Sequence, residues 1–434
     1  MEEILARAKK YVQEAEVYRV SSEETSVRFE ANKLKQLQTS QSTTIALRVI
    51  KDGRIGYAVT TGTGDIERLV NNAVETAEFG MEAKFQLPGK QTYPKVEVYD
   101  KEVGAVSIKE MTGLGEEMIT VVTKNTAGIM CEGGVSRGMI NVQLMNSRGG
   151  SADFKKSYFG MSVEGTLVNG SDMLFVGESD SSCHPLRSTK KVIDTVLLQL
   201  ERCKNQAKVT TRKMPVVFTA DGFAGSLLMP LISAFNGKTV LEGASPLAQK
   251  LGKKTFDPAF SLYDDPTIDF QTGSRPCDDE GVASQRTSLI EKGVVQAFLY
   301  DLQTAALAGK KSTGNGNRGR GSLPSPSSSA LIISPGKTTF DEMTQDIKEG
   351  LVVEQLMGAD QGNILAGDFS GNVLLGYKIE NGKLVGRVKD TVVSGNVYTL
   401  LKDIAAVGSE TRWIGGFCQT PPFYCKGLSV SSKG

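Results

Sequence analysis

The chain has 434 residues, which is enough for two or three domains that each bury a hydrophobic core. Its 50 lysines and arginines balance 49 acidic residues, and a net charge of +1 argues against a nucleic-acid-binding protein, which normally has a basic excess. A single histidine, His184, excludes a zinc peptidase site of the H-E-x-x-H kind and leaves one imidazole for any catalytic triad.

Cysteine use and hydropathy predict a soluble, cytoplasmic protein. Six cysteines are scattered without C-x-x-C spacing, which in a chain of this length is typical of reduced, buried thiols. Residues 1–15 are charged and amphipathic and lack the apolar stretch of a signal peptide. No segment approaches the ~18 apolar residues of a membrane span. We therefore expect no membrane as a partner.

The first half of the chain predicts helices packed on an antiparallel sheet. Apolar residues at helical spacing predict helices over residues 2–15, 65–79, 107–124 and 189–204. Alternating segments rich in Val, Thr and Ile predict the strands, and Asp52-Gly53 predicts a hairpin turn between IALRVI and IGYAVTT. The 47 glycines, about 11% against a usual ~7%, favour many turns.

A polar, basic segment at residues 207–215 predicts a domain boundary, because it ends in a proline just before the apolar strand VVFTA. We place an N-terminal α+β domain at residues 1–210, which can be subdivided into 1–100 and 101–210. A β-rich C-terminal domain follows at residues 211–434. The fold class is therefore α+β, with helices on the outer faces of antiparallel sheets.

The second half is mostly β, with helices predicted over residues 221–235 and near 340–349 and 397–404. Asn381-Gly382 predicts a further hairpin between LLGYKI and LVGRV. The segment 312–329, STGNGNRGRGSLPSPSSS, is too rich in Gly, Ser, Pro and Asn to pack and predicts a mobile loop.

Two glycine motifs have the residue spacing of functional motifs but are not followed by the helix that those functions need. Gly314, Gly316 and Gly319 have the dinucleotide-binding spacing, but RGSLPSPSSS follows and cannot begin the helix that binds a pyrophosphate. We interpret this segment as a flexible loop. Residues 134–138 read G-x-S-x-G, but the strand-like MINVQLM follows where a nucleophile elbow needs a helix. We interpret this motif as a β-turn.

The remaining reactive side chains favour structural roles. Cys183 and His184 are adjacent in a loop, and a histidine with a structural hydrogen bond is favoured over a catalytic Cys-His pair. Two acidic runs, residues 264–265 and 278–280, could hold a hard cation or do acid–base work. Their neighbours Pro266 and Gly281 favour solvated turns instead.

Pro230 lies inside the predicted helix 221–235 and is unexpected there. A proline within a helix removes a backbone hydrogen bond and clashes with the preceding turn, at a cost of ~3 kcal/mol. We therefore expect this helix to be kinked or interrupted.

The second half resembles the TldD/PmbA proteins, also named modulators of DNA gyrase. The resemblance rests on GNILAGDFSGNVLLGYKIENGKLVGRVKDTVVSGNVYTLLKDI and on the closing TPPFYCKGLSVS. The shorter elements CDDEG at 277–281 and KSTG at 311–314 occur in the family's order. Residues 21–78 resemble the family's first domain, so that the resemblance covers essentially the whole chain.

The resemblance implies one of two kinds of subunit. The TldD kind carries H-E-x-x-x-H and a downstream cysteine and binds zinc as a metallopeptidase, whereas the PmbA (TldE) kind lacks these ligands and is its partner. At the matching positions this chain has Met229, Pro230 and Ala234, none of which is a good zinc ligand. Cys418 lies too close to the TPPF element to match the family's cysteine. We expect a PmbA-like chain without metal, cofactor or catalytic residues of its own.

The resemblance further implies a non-catalytic subunit of a zinc peptidase complex that processes unfolded or leader peptides. A TldD-type partner would supply the zinc, and this chain would be inactive alone. An extended peptide substrate could add to a strand edge, whose residues the sequence does not identify. The alternative is a stand-alone homodimeric binding protein without peptidase activity. A third hypothesis is a peptidase with Cys183 or Cys418 as its nucleophile.

Overall fold

The computed structural model describes residues 1–62 and 64–433, with only the backbone at position 320, and its helices and strands confirm the predicted α+β class. The helices are α1 (Glu2–Ala8), α2 (Ile66–Thr76), α3 (Lys101–Ala105), α4 (Ile108–Asn125), α5 (Lys190–Arg202), α6 (Ala220–Phe235), α7 (Gly237–Leu241), α8 (Leu302–Leu307), α9 (Phe340–Gln345) and α10 (Val397–Leu400). In these described ranges, no helix is both long and apolar enough to cross a membrane.

The strands divide between the two halves of the chain. Those of the first half are β1 (Glu14–Glu30), β2 (Lys33–Lys51), β3 (Arg54–Thr61), β4 (Met130–Asn146), β5 (Ser151–Asn169) and β6 (Asp172–Ser182). Those of the second half are β7 (Arg212–Phe218), β8 (Leu262–Asp264), β9 (Thr287–Glu291), β10 (Val294–Val295), β11 (Gly316–Asn317), β12 (Ser325–Pro326), β13 (Leu331–Ile333), β14 (Glu349–Met357), β15 (Asp368–Glu380), β16 (Lys383–Arg387), β17 (Thr391–Asn396), β18 (Ile404–Val407), β19 (Arg412–Ile414), β20 (Cys418–Thr420) and β21 (Phe423–Ser432).

The first six strands form one antiparallel sheet in the order β3-β2-β1-β4-β5-β6. The predicted hairpin turn at Asp52-Gly53 is confirmed. Both residues have positive φ angles, 50° and 73°, as the tight turn between two antiparallel strands requires. The same geometry, with φ angles of 49° and 77°, confirms the predicted turn at Asn381-Gly382.

Helices cover one face of this sheet. α1 and α2 pack on the part formed by β1 and β2, where Ala15 and Leu47 are fully buried. α4 and α5 pack on the part formed by β1, β4, β5 and β6. The predicted first helix over residues 2–15 is too long, because α1 ends at Ala8 and residue 15 already pairs with Val49 in the sheet. Sheet pairing here overrides a helical pattern of apolar residues.

The second half is built around a ring of five strands, in which β7, β21, β17, β15 and β14 pair in sequence and β14 closes on β7. β7 and β14 are buried on both faces: Val216 and Phe218 contact the cluster that contains α6, whereas Val217 lies in the cluster that contains α4 and α5. A second sheet, in the order β10-β9-β8-β13-β20-β19, packs beside the ring.

The segment predicted as a mobile loop, residues 312–329, is instead packed. Its β11 and β12 pair as a short antiparallel ribbon, and the Asn315 and Arg318 side chains are buried. The prediction was wrong because buried charges elsewhere in the chain, rather than apolar side chains of the segment itself, hold it in place.

Candidate functional site

Helix α6 carries the three positions that the family resemblance singles out. It begins after Thr219, whose hydroxyl accepts a hydrogen bond from the Gly222 N–H at 3.1 Å. The helix is not interrupted at Pro230 and continues to Phe235. Phe223 and Leu227 are among its fully buried side chains. At about 1.5–3 kcal/mol each, several such buried side chains outweigh the ~3 kcal/mol cost of the proline.

The three singled-out side chains do not share a surface. The Met229 side chain is 46% exposed, whereas Ala234 is fully buried in the core. Pro230 is buried, and its carbonyl accepts a hydrogen bond of 3.0 Å from the Tyr398 hydroxyl. Thioether, pyrrolidine and methyl groups in this arrangement do not fit a zinc ion. Within residues 1–62 and 64–433, no group of three or more His, Cys, Asp or Glu side chains is placed to hold a metal.

The lone histidine has a structural contact, as predicted. The Nδ1 atom of His184 lies 2.7 Å from Oδ2 of Asp100, and its ring stacks on Phe270 with ring centroids 3.6 Å apart. The neighbouring Cys183 is buried, and its Sγ lies 3.5 Å from the carbonyl oxygen of Gln271. These contacts fix the loop after β6 against the second half of the chain.

Burial disfavours both thiols that could act as nucleophiles. It raises the pKa of Cys418 to about 12 and raises the pKa of Cys183 above its ordinary value. A nucleophilic cysteine needs a lowered pKa, because the thiolate is the reactive species. The geometry therefore gives no support to the cysteine-peptidase hypothesis.

A groove of about 540 Å³ lies on the face of the first sheet that the helices leave uncovered. Its base crosses four strands, and the register places side chains side by side along two rows, in which every residue except Arg28 is Ser or Gly. The first row is Ser26, Ser136, Gly160 and Ser181, and the second is Arg28, Gly134, Ser162 and Ser179. Gly415, in the turn between β19 and β20, lines the opposite side. We call this the serine–glycine groove.

The G-x-S-x-G motif of residues 134–138 belongs to this groove. The predicted β-turn was wrong, because these residues lie within the continuous strand β4. Gly134 and Ser136 instead keep the base of the groove free of bulky side chains. A sequence signal was present: Gly or Ser recurs at alternate positions of β4, β5 and β6, as in 134/136, 160/162 and 179/181.

The serine–glycine groove continues toward α6. A second cavity of about 340 Å³ shares Ser162, Glu164 and Ser179 with it and reaches Asp221, in the first turn of α6. Arg412 forms ion pairs with Glu178 and with Asp221, the latter with an Nη1–Oδ2 distance of 3.3 Å. Burial raises the pKa of Asp221. The ion pairs join the first sheet to α6 at this end of the groove.

Two carboxylates in the groove oppose each other. Glu132 on β4 and Glu164 on β5 are direct cross-strand partners, and both are exposed. Like charges in this position destabilise a sheet. Among the described side chains, no lysine or arginine forms an ion pair with either carboxylate. A cationic group of a bound molecule would relieve their repulsion.

The other end of the same sheet face is closed by a buried ion cluster, which we define as Glu16, Arg48, Glu280 and Arg318. Arg48 Nη1 lies 2.6 Å from Glu280 Oε1, and Arg48 Nη2 lies 3.0 Å from Glu16 Oε1. Arg318 also pairs with Oε1 of Glu16. The cluster connects β1 and β2 of the first half to two segments of the second half.

The acidic runs predicted as solvated turns are buried. Asp264, Asp278 and Glu280 have almost no exposed surface. The Asp278 carboxylate accepts hydrogen bonds from the N–H groups of Val282 and Gly316, both at 2.8 Å. Burial and the nearby Glu280 raise the pKa of Asp278 to about 7. The turn after Asp278 is present, with the Gly281 N–H donating to the Asp278 carbonyl at 3.1 Å. The predicted solvation was wrong, because the partners of these carboxylates include backbone and side-chain groups far away in the sequence.

Comparison with known protein families gives two matches. Residues 211–432 match the PmbA/TldA metallopeptidase C-terminal domain, and residues 15–77 match the PmbA/TldA metallopeptidase domain 1. The C-terminal match covers more than half of the 434 residues and includes α6, and the N-terminal match covers most of β1 and all of β2 and β3.

Individual relatives agree with these matches. The chain is 29% identical to an uncharacterized protein of Methanocaldococcus jannaschii over 93% of both chains. It is 30% identical to a metalloprotease TldD homolog of Buchnera aphidicola, over 56% of this chain and 50% of the homolog. The crystal structure of TldE from Thermococcus kodakarensis shares the fold, with a TM-score of 0.88 over the full length of both chains at 23% identity.

Proposed function

Because the chain belongs to the PmbA/TldA metallopeptidase family, we propose that it is a non-catalytic subunit of a TldD/PmbA-type peptidase complex acting on unfolded or leader peptides. The proposal is supported by α6, where the family resemblance aligns Met229, Pro230 and Ala234 with the zinc motif and none of the three side chains is a good zinc ligand. A TldD-type partner would supply the zinc and the hydrolytic chemistry. We expect this chain alone to be inactive.

The serine–glycine groove is the place where this chain would hold the peptide. Side chains as small as Ser136 and Gly160 let a peptide backbone approach the sheet closely, with little preference for its sequence. Glu132 and Glu164 would attract lysine, arginine or the amino terminus of the peptide. The role of this chain is then to bind and orient an extended substrate.

The proposal is tested by peptidase assays with and without this chain. The TldD-type protein from the same cells is purified alone and with this chain, and cleavage of an unfolded polypeptide is measured. We expect cleavage to require both. Equal activity of the TldD-type protein alone, on unfolded and folded substrates, would contradict the subunit role.

A bulky side chain in the groove tests the site separately. Ser162→Trp fills the junction of the two cavities, and we expect it to lower cleavage about tenfold or more, because small misplacements of substrate are costly. Met173→Trp, at an exposed position of β6 outside the groove, is the matched control. An active Ser162→Trp complex would exclude the groove as the peptide site and leave the subunit role standing.

We also propose that the chain divides near residue 210 into an N-terminal unit, 1–210, and a C-terminal unit, 211–434. The start of the C-terminal family match at residue 211 supports this boundary. Limited proteolysis is expected to cut the chain first between α5 and β7, and a first cut elsewhere would move the boundary.

A further inference from the structure

A cavity of about 420 Å³ lies between the two halves of the chain, outside the serine–glycine groove. The first half contributes Ile55 of β3 and Met81, which follows α2. The second half contributes residues of α7, of α8 and of the segment 323–326. The volume falls within the ~300–1,000 Å³ that is typical of sites for small molecules. We call it the Asp301 cavity, after the carboxylate that lines it.

The walls of the Asp301 cavity are largely apolar. The side chains of Met81, Leu241 and Leu307 are 58%, 40% and 52% exposed, and all three line this one cavity. Ile55 and Pro326 line it as well and are buried. Single exposed apolar side chains are common on proteins, but several around one concave site indicate a surface that binds an apolar group.

Asp301 lines the cavity without a cation to balance its charge. It is 3% exposed, and its Oδ1 atom accepts hydrogen bonds from the N–H and the hydroxyl of Thr304, at 2.7 and 2.6 Å. No described residue donates a hydrogen bond to its Oδ2 atom, and no described lysine or arginine side chain forms an ion pair with it. Burial, and to a smaller extent the nearby Glu280, raises the pKa of Asp301.

The charges around Asp301 leave this carboxylate as the unbalanced one. Arg48 also lines the cavity, but both of its Nη atoms are paired with the two glutamates of the ion cluster. The cluster contains two arginines and two glutamates, so it has no positive charge to spare for Asp301. Lys238 and Glu242, both exposed, add one charge of each sign to the lining. A buried charge without a partner is costly, and a cation in the cavity would remove that cost.

We propose that the Asp301 cavity binds a small organic cation. The apolar body of the ligand lies against Met81, Leu241 and Leu307, and its amino group donates a hydrogen bond to Oδ2 of Asp301. Apolar contact supplies the affinity, and the carboxylate selects a cation over a neutral or anionic molecule of the same shape. Because no lining residue is shared with the serine–glycine groove, the inference does not depend on the peptidase role.

The test is isothermal titration of the purified full chain with three probes of similar shape. Tryptamine carries an indole ring and an ammonium group, tryptophol has a hydroxyl in place of the ammonium group, and indoleacetate is an anion. We expect tryptamine to bind with a dissociation constant of about 1 mM or less. Tryptophol and indoleacetate should each bind about tenfold more weakly or worse, because they lack the charged donor.

Asp301→Asn tests the carboxylate without removing the helix cap, since asparagine caps a helix about as well as aspartate. We expect it to weaken tryptamine about tenfold and to leave tryptophol unchanged. Asp65→Asn is the matched control, because Asp65 also caps a helix, α2, and lies outside the cavity.

Leu307→Trp tests the apolar wall by filling the cavity. We expect it to abolish the binding of tryptamine and of tryptophol alike. Leu198→Trp is the matched control, because the Leu198 side chain is 48% exposed and lies on α5, away from the cavity. Circular dichroism of each variant must match the wild type, so that a loss of fold is not mistaken for a loss of binding.

Three results would overturn the proposal. The first is no binding of tryptamine at millimolar concentration. The second is equal affinity for tryptamine and tryptophol, or tryptamine binding that Asp301→Asn leaves unchanged, because either would mean that the site does not select a cation. The third is tryptamine binding that Ser162→Trp abolishes and Leu307→Trp does not, which would place the cation in the serine–glycine groove.

Discussion

The uncovered face of the first sheet contacts the second half of the chain differently at its two ends: one contact is buried and the other leaves an open groove. At one end the contact contains the buried ion cluster, in which Glu16 and Arg318 have no exposed side-chain surface. At the other end Ser162 and Gly160 leave the serine–glycine groove open. This difference suggests that the ion cluster fixes the position of the first sheet relative to the second half of the chain, so that the groove keeps its width.

Removal of Arg48 should give the largest loss in the free energy of unfolding. Arg48→Met leaves Glu16 and Glu280 buried without their shared cation, and the loss of one partner of a buried ion pair costs about 3–5 kcal/mol. Urea unfolding would measure the loss. Arg7→Met breaks the exposed ion pair with Glu3 and should cost at most about 1 kcal/mol. Equal losses for the two variants would contradict the structural role of the cluster.

The ion cluster also shows why part of the fold was not predictable. Arg48 and Glu280 are 232 residues apart, and Glu16 and Arg318 are 302 residues apart. No local pattern marks such pairs. The cluster lies beside the acidic run 278–280, whose burial was missed, and it holds the segment that contains Arg318, which was predicted to be mobile. Ion pairs between residues far apart in the sequence account for both the burial of the acidic run and the packing of the segment.

Features set by neighbouring residues were predicted well. Asp52-Gly53 and Asn381-Gly382 form the expected turns, because only a few residue types adopt positive φ angles easily. The helix predicted over 107–124 is α4, which Ser107 and Glu110 cap reciprocally. The groove was missed although its alternating Gly and Ser residues are visible in the sequence, since their meaning depends on the register of four strands.

Replacement of a glycine by alanine should cost more stability at the ion cluster than in the serine–glycine groove. In Gly316→Ala the new Cβ would lie 2.6 Å from Oε2 of Glu280 and would force the ribbon away from the cluster. We expect a loss of about 1–3 kcal/mol in the free energy of unfolding. In Gly160→Ala the nearest atom, Oγ of Ser136, is 3.6 Å away, and the cost should stay below about 1 kcal/mol. Thermal unfolding of both variants measures these losses in stability. Comparable losses would mean that the groove is as tightly packed as the cluster.

The opposed carboxylates Glu132 and Glu164 should give the smallest change in stability. They also test most directly whether the open end of the sheet face binds a peptide. Glu164→Gln removes the repulsion with Glu132 and should stabilise the sheet by about 0.2–1 kcal/mol. If the groove binds cationic peptides, the same substitution should weaken the binding of a lysine-rich peptide several-fold, whereas it should not weaken the binding of an acidic peptide, since the repulsion by Glu164 is removed. Isothermal titration at low and high salt measures both, because the attraction between exposed charges is screened by salt. Glu67→Gln, on the surface of α2, controls for the change in net charge. A stabilised protein with unchanged peptide affinity would show that the carboxylate pair is not a recognition element.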